Sequence, residues 1–159
     1  MSASAPDGCP LCLAAAAPLL ESPRWRIVRH ADPVPVAGWM MLVARAHREG
    51  PHALDREESM ELGPLVAAMS GAVRAATGCE RTYLLSFNEA VPHFHMHVVP
   101  RHAADPSTAS WHLADRYRDT AAGRVAAVDP SDADHAARRV ADAALGALSE
   151  LGFVRHASA

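Results

Sequence analysis

Residues 93–100 read HFHMHVVP, an alternation that is coherent only as an extended strand. Successive side chains of a strand point to opposite faces. His93, His95, His97 and Val99 therefore share one face, while Phe94, Met96 and Val98 take the other. The apolar set demands a core beneath it. The imidazoles stand in a row, roughly 7 Å apart at a rise of ~3.3 Å per residue. Whatever fold the chain adopts must bury one side of this strand and find a use for the other.

The neighbouring segments agree with a sheet. RTYLLSFN (81–88) alternates, and only EAVP separates it from the histidine row, so the two should be antiparallel neighbours. WRIVRH (25–30) mixes β-branched and aromatic residues and reads as a strand. GWMMLVAR (38–45) is continuously apolar, as expected of a strand buried on both faces. Between them ADPVPVAG (31–38) carries two prolines and a glycine and is a connection.

Residues 53–78 carry a helical signal. Asp55 with Glu58 three positions later suggests a capping box, with Leu54 placed for a hydrophobic staple. Leu62, Leu65, Val66, Met69, Val73 and Ala76 recur at helical spacing, and Gly78 suits the C-terminal stop. Pro64 predicts a kink or break near Leu62. Beyond Arg101, residues 102–124 read as a polar connection with a short helix around Trp111–Arg118. Residues 129–152 look helical, with Val140, Ala144, Ala147, Leu148 and Leu151 on one face. No internal repeat stands out. The class is α+β, an antiparallel sheet with helices packed on it.

Composition narrows the function classes. The 159 residues suit one domain. Half of them are apolar and 21% are charged, as in ordinary globular proteins. A formal charge of −3 argues against a broad nucleic-acid-binding surface. The opening MSASAPDG lacks a basic n-region, and LAAAAPLL (13–20) is far too short for a bilayer, so neither leader nor membrane span is expected. Three cysteines, two of them in one CPLC, do not make a disulfide framework and point to a reducing cytoplasm.

Three histidines at strict alternation admit three readings. Chance decoration of a solvated face is the first. A metal held by the three imidazoles alone is the second, but ligands this far apart on one straight strand cannot all reach a zinc with bonds near ~2.1 Å. The third is nucleophilic catalysis, because neutral imidazole attacks phosphorus or acyl centres near neutral pH without a strong base. CPLC places Cys9 and Cys12 at a spacing from which two thiolates reach one zinc, although the pair is only half a site. Two free thiols and a hydrogen-bonded His47 are the alternative. No glycine-rich phosphate loop of a known pattern occurs.

HFHMHVV resembles the signature of the histidine-triad (HIT) family, His-apolar-His-apolar-His-apolar-apolar, at every position. The resemblance extends to the N-terminal C-x-x-C, the apolar strand leading to a histidine in MMLVARAH, and the long helix before the triad. It implies a HIT-like fold: about five antiparallel strands, one long helix and a C-terminal helical segment, with a core at about 9–101 and an extension at about 102–159. It also implies a nucleotide hydrolase or transferase that attacks the α-phosphorus of a dinucleoside polyphosphate or nucleoside phosphoramidate through a covalent nucleotidyl-histidine. Two rival readings are a nucleotide-binding regulatory module with little turnover, and a family-derived enzyme of specialised metabolism.

Carried over by position, His95 is the nucleophile, His97 fixes its tautomer, His93 supports the cluster, and Asn88 resembles the family's strand-end asparagine. The third position being His97 rather than glutamine favours the hydrolase side. Bacterial members complete the C-x-x-C site with a histidine after the apolar strand and the first triad histidine. The resemblance thus implies a structural zinc on Cys9, Cys12, His47 and His93, no organic cofactor, and a homodimer with joined sheets. The chain departs from the family in having only FNEAVP before the triad, with Ala90 where a hydroxyl or amide donor lies elsewhere. Glu89 is then the nearest polar group for the leaving group, or a solvated loop carboxylate. Asp32 is either a ribose contact or a turn aspartate, and Arg101 either a phosphate contact or a surface arginine. Trp25, Ile27 and Val28 either wall a base pocket or belong to the core.

Overall fold

A computed structural model describes residues 8–13 and 17–156. The expectation of no leader concerns residues 1–7, which lie outside the described residues. The strands are β1 (Leu20–Glu21), β2 (Trp25–Arg29), β3 (Met40–Ala44), β4 (Arg81–Leu85), β5 (His95–Arg101) and β6 (Val154–Arg155). They form one antiparallel sheet in the order β4-β5-β3-β2-β1-β6. The architecture is α+β, with six strands where about five were expected; β1 and β6 are two-residue strands without a strong sequence signal. The helices are α1 (Arg56–Thr77), α2 (Ser110–Ala121) and α3 (Pro130–Leu148). Among the described residues no helix is long and apolar enough to cross a membrane.

Local chemistry explains α1. Asp55 accepts the Glu58 backbone N–H at 2.8 Å, and the Glu58 carboxylate accepts the Asp55 N–H at 2.8 Å. Two of the four orphan donors of the first turn are thereby satisfied. Arg48 binds Glu58 at 2.8 Å and Asp55 at 3.0 Å, which pairs the otherwise buried Glu58 charge. Gly78 ends the helix at φ 71°, a conformation glycine adopts without a Cβ clash. The break expected near Leu62 does not occur: α1 runs unbroken through Pro64. Pro64 and Met60, whose carbonyl loses its helical donor, are both exposed, so solvent can serve that group.

One sheet face is the main core. Trp25, Ile27, Met40, Leu42, Phe94 and Val98 lie under Leu65, Met69 and Val73 of α1 and Val140, Ala144 and Leu148 of α3. Trp25 and Phe94 meet edge-on with centroids 6.1 Å apart. Trp25 and Ile27 are therefore core and wall no pocket. Ala147 is exposed and Leu151 half-buried, so the α3 stripe is narrower than the sequence suggested.

The opposite face carries the histidines and is partly covered by α2. There Val36, Trp39, Val99 and Leu113 form a second apolar cluster, with Tyr83 and Leu85 packed against it. Arg116 fastens α2 by donating to the Pro35 carbonyl at 2.9 Å and pairing with Asp105 at 2.7 Å. β5 starts at His95 rather than His93 and continues through Pro100. Its pairing with β3 ends at Val98, so a missing N–H at Pro100 breaks no bond on that side.

Candidate active site and metal centre

The backbone of His95 lies just past the end of β4. The ladder between β4 and β5 stops at Leu85 opposite His97, which leaves the next peptide groups of β5 without strand partners. Side chains replace them. Asn88 Oδ1 accepts the His95 N–H at 3.2 Å, and the Ser86 hydroxyl donates to the His95 carbonyl at 2.8 Å. Asn88 Nδ2 donates to Ser86 Oγ at 3.1 Å and closes the clamp. Asn88 sits at φ 55°, a left-handed conformation that asparagine tolerates better than most residues. Sequence reasoning found Asn88 and missed Ser86, a serine with no pattern to mark it.

Each triad ring has a separate set of partners. His93 is fully buried, and its Nε2 lies 2.7 Å from the Ala44 carbonyl, which only an N–H can satisfy. Its Nδ1 lone pair therefore faces Cys9 and Cys12. His95 Nδ1 lies 2.7 Å from the carbonyl of His93, so it carries the proton and Nε2 keeps a bare lone pair. The ring of His95 is thus oriented by the His93 backbone and not, as expected, by His97. His97 instead accepts the indole N–H of Trp39 on Nδ1 at 3.0 Å. Its ring stands 5.1 Å from that of His95, nearly perpendicular, and 5.7 Å from that of His30.

Burial, reinforced by the neighbouring His95 and His30, pushes the His97 imidazole down to about 3. His30 is likewise lowered, chiefly by burial, against the opposing pull of its bond to the Ala31 carbonyl. His30 also packs against Trp39 and Tyr117, so α2 reaches the edge of the histidine face. None of Trp39, His30 and Tyr117 was singled out from sequence.

Cys9, Cys12, His47 and His93 converge, with one ligand atom from each within 4.8 Å of all the others. His93 Nδ1 is 3.4 Å from Cys9 Sγ and 3.3 Å from Cys12 Sγ, and His47 Nδ1 is 3.4 Å from Cys12 Sγ. Bonds of ~2.3 Å to sulfur and ~2.05 Å to nitrogen in a tetrahedral zinc site imply an S···N edge of about 3.6 Å. The observed edges are close to that, and two thiolates with two imidazoles suit zinc. The Ala44 carbonyl on His93 Nε2 is the outer partner such a ligand needs to hold its tautomer. Burial, followed by the hydrogen bond and charge of Cys9, raises the Cys12 thiol, with Arg26 acting weakly in the opposite sense.

The remaining expected contacts make no hydrogen bond to the triad among the described residues. Asp32 is exposed and held bidentately by Arg29 at 2.9 and 3.1 Å, which keeps its carboxyl low. Glu89 is exposed in the loop before the triad. Arg101 is not brought to the triad. It lies six residues along β5 from His95, roughly 20 Å at strand rise, and pairs with Glu80 at 2.5 Å.

Solved structures share this fold of a six-stranded antiparallel sheet with its helices. A hypothetical histidine triad nucleotide-binding protein from Sulfolobus tokodaii matches with a TM-score of 0.63 and 13% identity, over 91% of this chain and 95% of that one. A HIT-like protein involved in cell-cycle regulation from Bartonella henselae, solved with an unknown ligand, matches at 0.61 and 15% identity, over 84% and 92%. A zinc-bound histidine triad family protein from Mycobacterium smegmatis matches at 0.59 and 16% identity, over 91% and 93%. No protein-family model matches the sequence, and no curated protein is significantly similar to it. The chain has the fold of these histidine-triad proteins, and its own histidine row leads into β5.

Proposed function

We propose that this protein is a nucleotide hydrolase or transferase that works through a covalent nucleotidyl-His95 intermediate. One observation carries the reading: His95 Nδ1–H is committed to the His93 carbonyl, which leaves the Nε2 lone pair bare. That lone pair attacks the α-phosphorus, the bond to the leaving group breaks, and the leaving group departs with the electron pair. The ring becomes an N-phosphorylated imidazolium, whose positive charge the His93 carbonyl stabilises through Nδ1–H. Water then attacks phosphorus, the P–N bond breaks, and His95 returns to its neutral form. The nucleotide-binding description of the Sulfolobus protein supports the substrate class.

His93 links the chemistry to a structural zinc on Cys9, Cys12, His47 and His93. The zinc-bound Mycobacterium protein supports this assignment. Four protein ligands leave no open position, so the metal fastens the N-terminal turn beside the nucleophile. Asp32 and Glu89 are the proposed contacts for the ribose and the leaving group. The β4 edge, with Leu84 and Phe87 exposed, is where a second copy would join.

The test is a trapping experiment. Protein mixed with α-labelled dinucleoside polyphosphate and quenched in base should retain label, because phosphoramidates survive base. His95→Ala should retain none and lose about 10³-fold or more of turnover. Saturable nucleotide binding without label or turnover would make the protein a binding module instead.

A further inference from the structure

The residues of the triad face outside the proposed mechanism include one whose polar atom touches it. Trp39 immediately precedes β3 and is almost fully buried beside Val36, Val99 and Leu113. A buried indole N–H needs an acceptor. Trp39 finds one in His97 Nδ1 at 3.0 Å, with the two rings close to perpendicular. An N–H can be received only by a bare lone pair, so this contact excludes a proton from His97 Nδ1. The proton of the neutral ring must then reside on Nε2.

The consequence is an asymmetry between two histidines two residues apart on one strand. His95 holds its proton on Nδ1 and offers a lone pair. His97 holds its proton on Nε2 and offers a donor. Different neighbours impose each state: a carbonyl for His95 and an indole N–H for His97.

We infer that Trp39 is a positioning residue that fixes His97 as an Nε2–H donor to a phosphoryl oxygen of the substrate held at His95. Charge builds on those oxygens in the transition state, so a donor fixed in advance stabilises it without reorganisation. His97 remains a hydrogen-bond donor and transfers no proton. The groups facing its ring are His95 on β5, His30 after β2 and Trp39 just before β3. Of these, Trp39 hydrogen-bonds to it. Burial of His97 agrees, because a second proton would have to displace the indole N–H.

The kinetic half of this inference rests on the proposed triad chemistry; the protonation half does not. Long-range 1H–15N spectra of the zinc-loaded wild-type protein should show His97 with a bare Nδ1 and a protonated Nε2 from about pH 8 to about pH 5. A through-hydrogen-bond coupling should link Nδ1 to the Trp39 indole nitrogen. Trp39→Phe keeps an aromatic ring in the cluster and removes the N–H. It should shift the Nδ1 resonance, raise the pH at which the ring protonates, and lower kcat by about tenfold while KM changes less than about threefold.

Leu113→Ala loosens the same cluster without touching the N–H and should leave the His97 resonances in place. A proton on Nδ1 in the wild type would overturn the inference, as would a Trp39→Phe protein with unchanged His97 resonances. A Leu113→Ala protein that reproduced every Trp39→Phe effect would overturn it too. If no nucleotide is turned over at all, the spectra still decide the protonation half, and the proposed function alone fails.

Discussion

The carbonyl oxygen of His93 and Nδ1 of His95 lie 2.7 Å apart, while the ring of that same His93 faces the two thiols of the CPLC turn. One residue therefore serves two centres, through its side chain and its main chain. A shift of the His93 backbone moves both the ring and the carbonyl that sets the tautomer of the proposed nucleophile.

Protein purified without a histidine tag should contain about one equivalent of zinc. Cys9→Ser should lower zinc content and Tm together, since metal binding here contributes to folding. Each ~1 kcal/mol lost should cost about 2–4 °C for a chain of this size. Because of the shared His93, turnover should fall by about 10–100-fold. Elemental analysis, thermal melts and a hydrolysis assay on one preparation check all three. Full activity in a zinc-free, folded Cys9→Ser protein would separate the two centres.

Stability should decline with acid in a defined window. The His97 imidazole is held down to about 3, and His30 is also lowered by burial. In the unfolded chain both titrate near their ordinary value of ~6.5. Between those limits the unfolded state binds more protons, so the stabilisation present above about pH 6.5 is lost as pH falls toward 3. Each histidine contributes a slope of at most ~1.4 kcal/mol per pH unit. Urea melts at stepped pH should show this loss, and His97→Gln should flatten it.

Removal of the α1 cap should be measurable without touching either centre. Asp55→Ala leaves the Glu58 N–H without its acceptor and removes one partner of Arg48. The expected cost is about 1 kcal/mol, read from denaturant midpoints, with zinc content and turnover unchanged.

Light scattering at micromolar concentration should give a mass near twice 16.9 kDa. Phe87→Glu, placed at the open β4 edge, should shift it toward the monomer. Trp39 of the apolar run at 38–45 is covered from within the chain by Leu113 of α2, so the edge strand β4, with Leu84 exposed on it and Phe87 exposed just beyond it, carries this expectation. A monomeric wild type with full turnover would show that each site is complete within one chain.

Local patterns made much of the fold legible. The alternation of β5, the capping box of α1 and the Gly78 stop each depend on residues a few positions apart. The Cys2His2 cluster was legible through family resemblance, because its four members lie in three separate segments. What escaped depends on register. Trp39 meets His97 only because β3 pairs with β5 as Met41 opposite His97, and Ser86 matters only because β4 stops one residue earlier. Of the two readings of Arg101, its pairing with Glu80 fits the surface arginine: proximity in sequence along a strand is distance in space.

The early stop of β4 separates two properties that most sheets keep together. The strand that carries the histidines is held in register by β3 along its first residues, and by side chains rather than a ladder on its other side at His95. Asn88 is tied to β5 through the His95 N–H, whereas Glu89 and Ala90 belong to no strand pair and can change in character without shifting one. Under the proposed chemistry, variation beside the leaving group falls on Glu89 and Ala90, while the imidazoles stay anchored to the sheet.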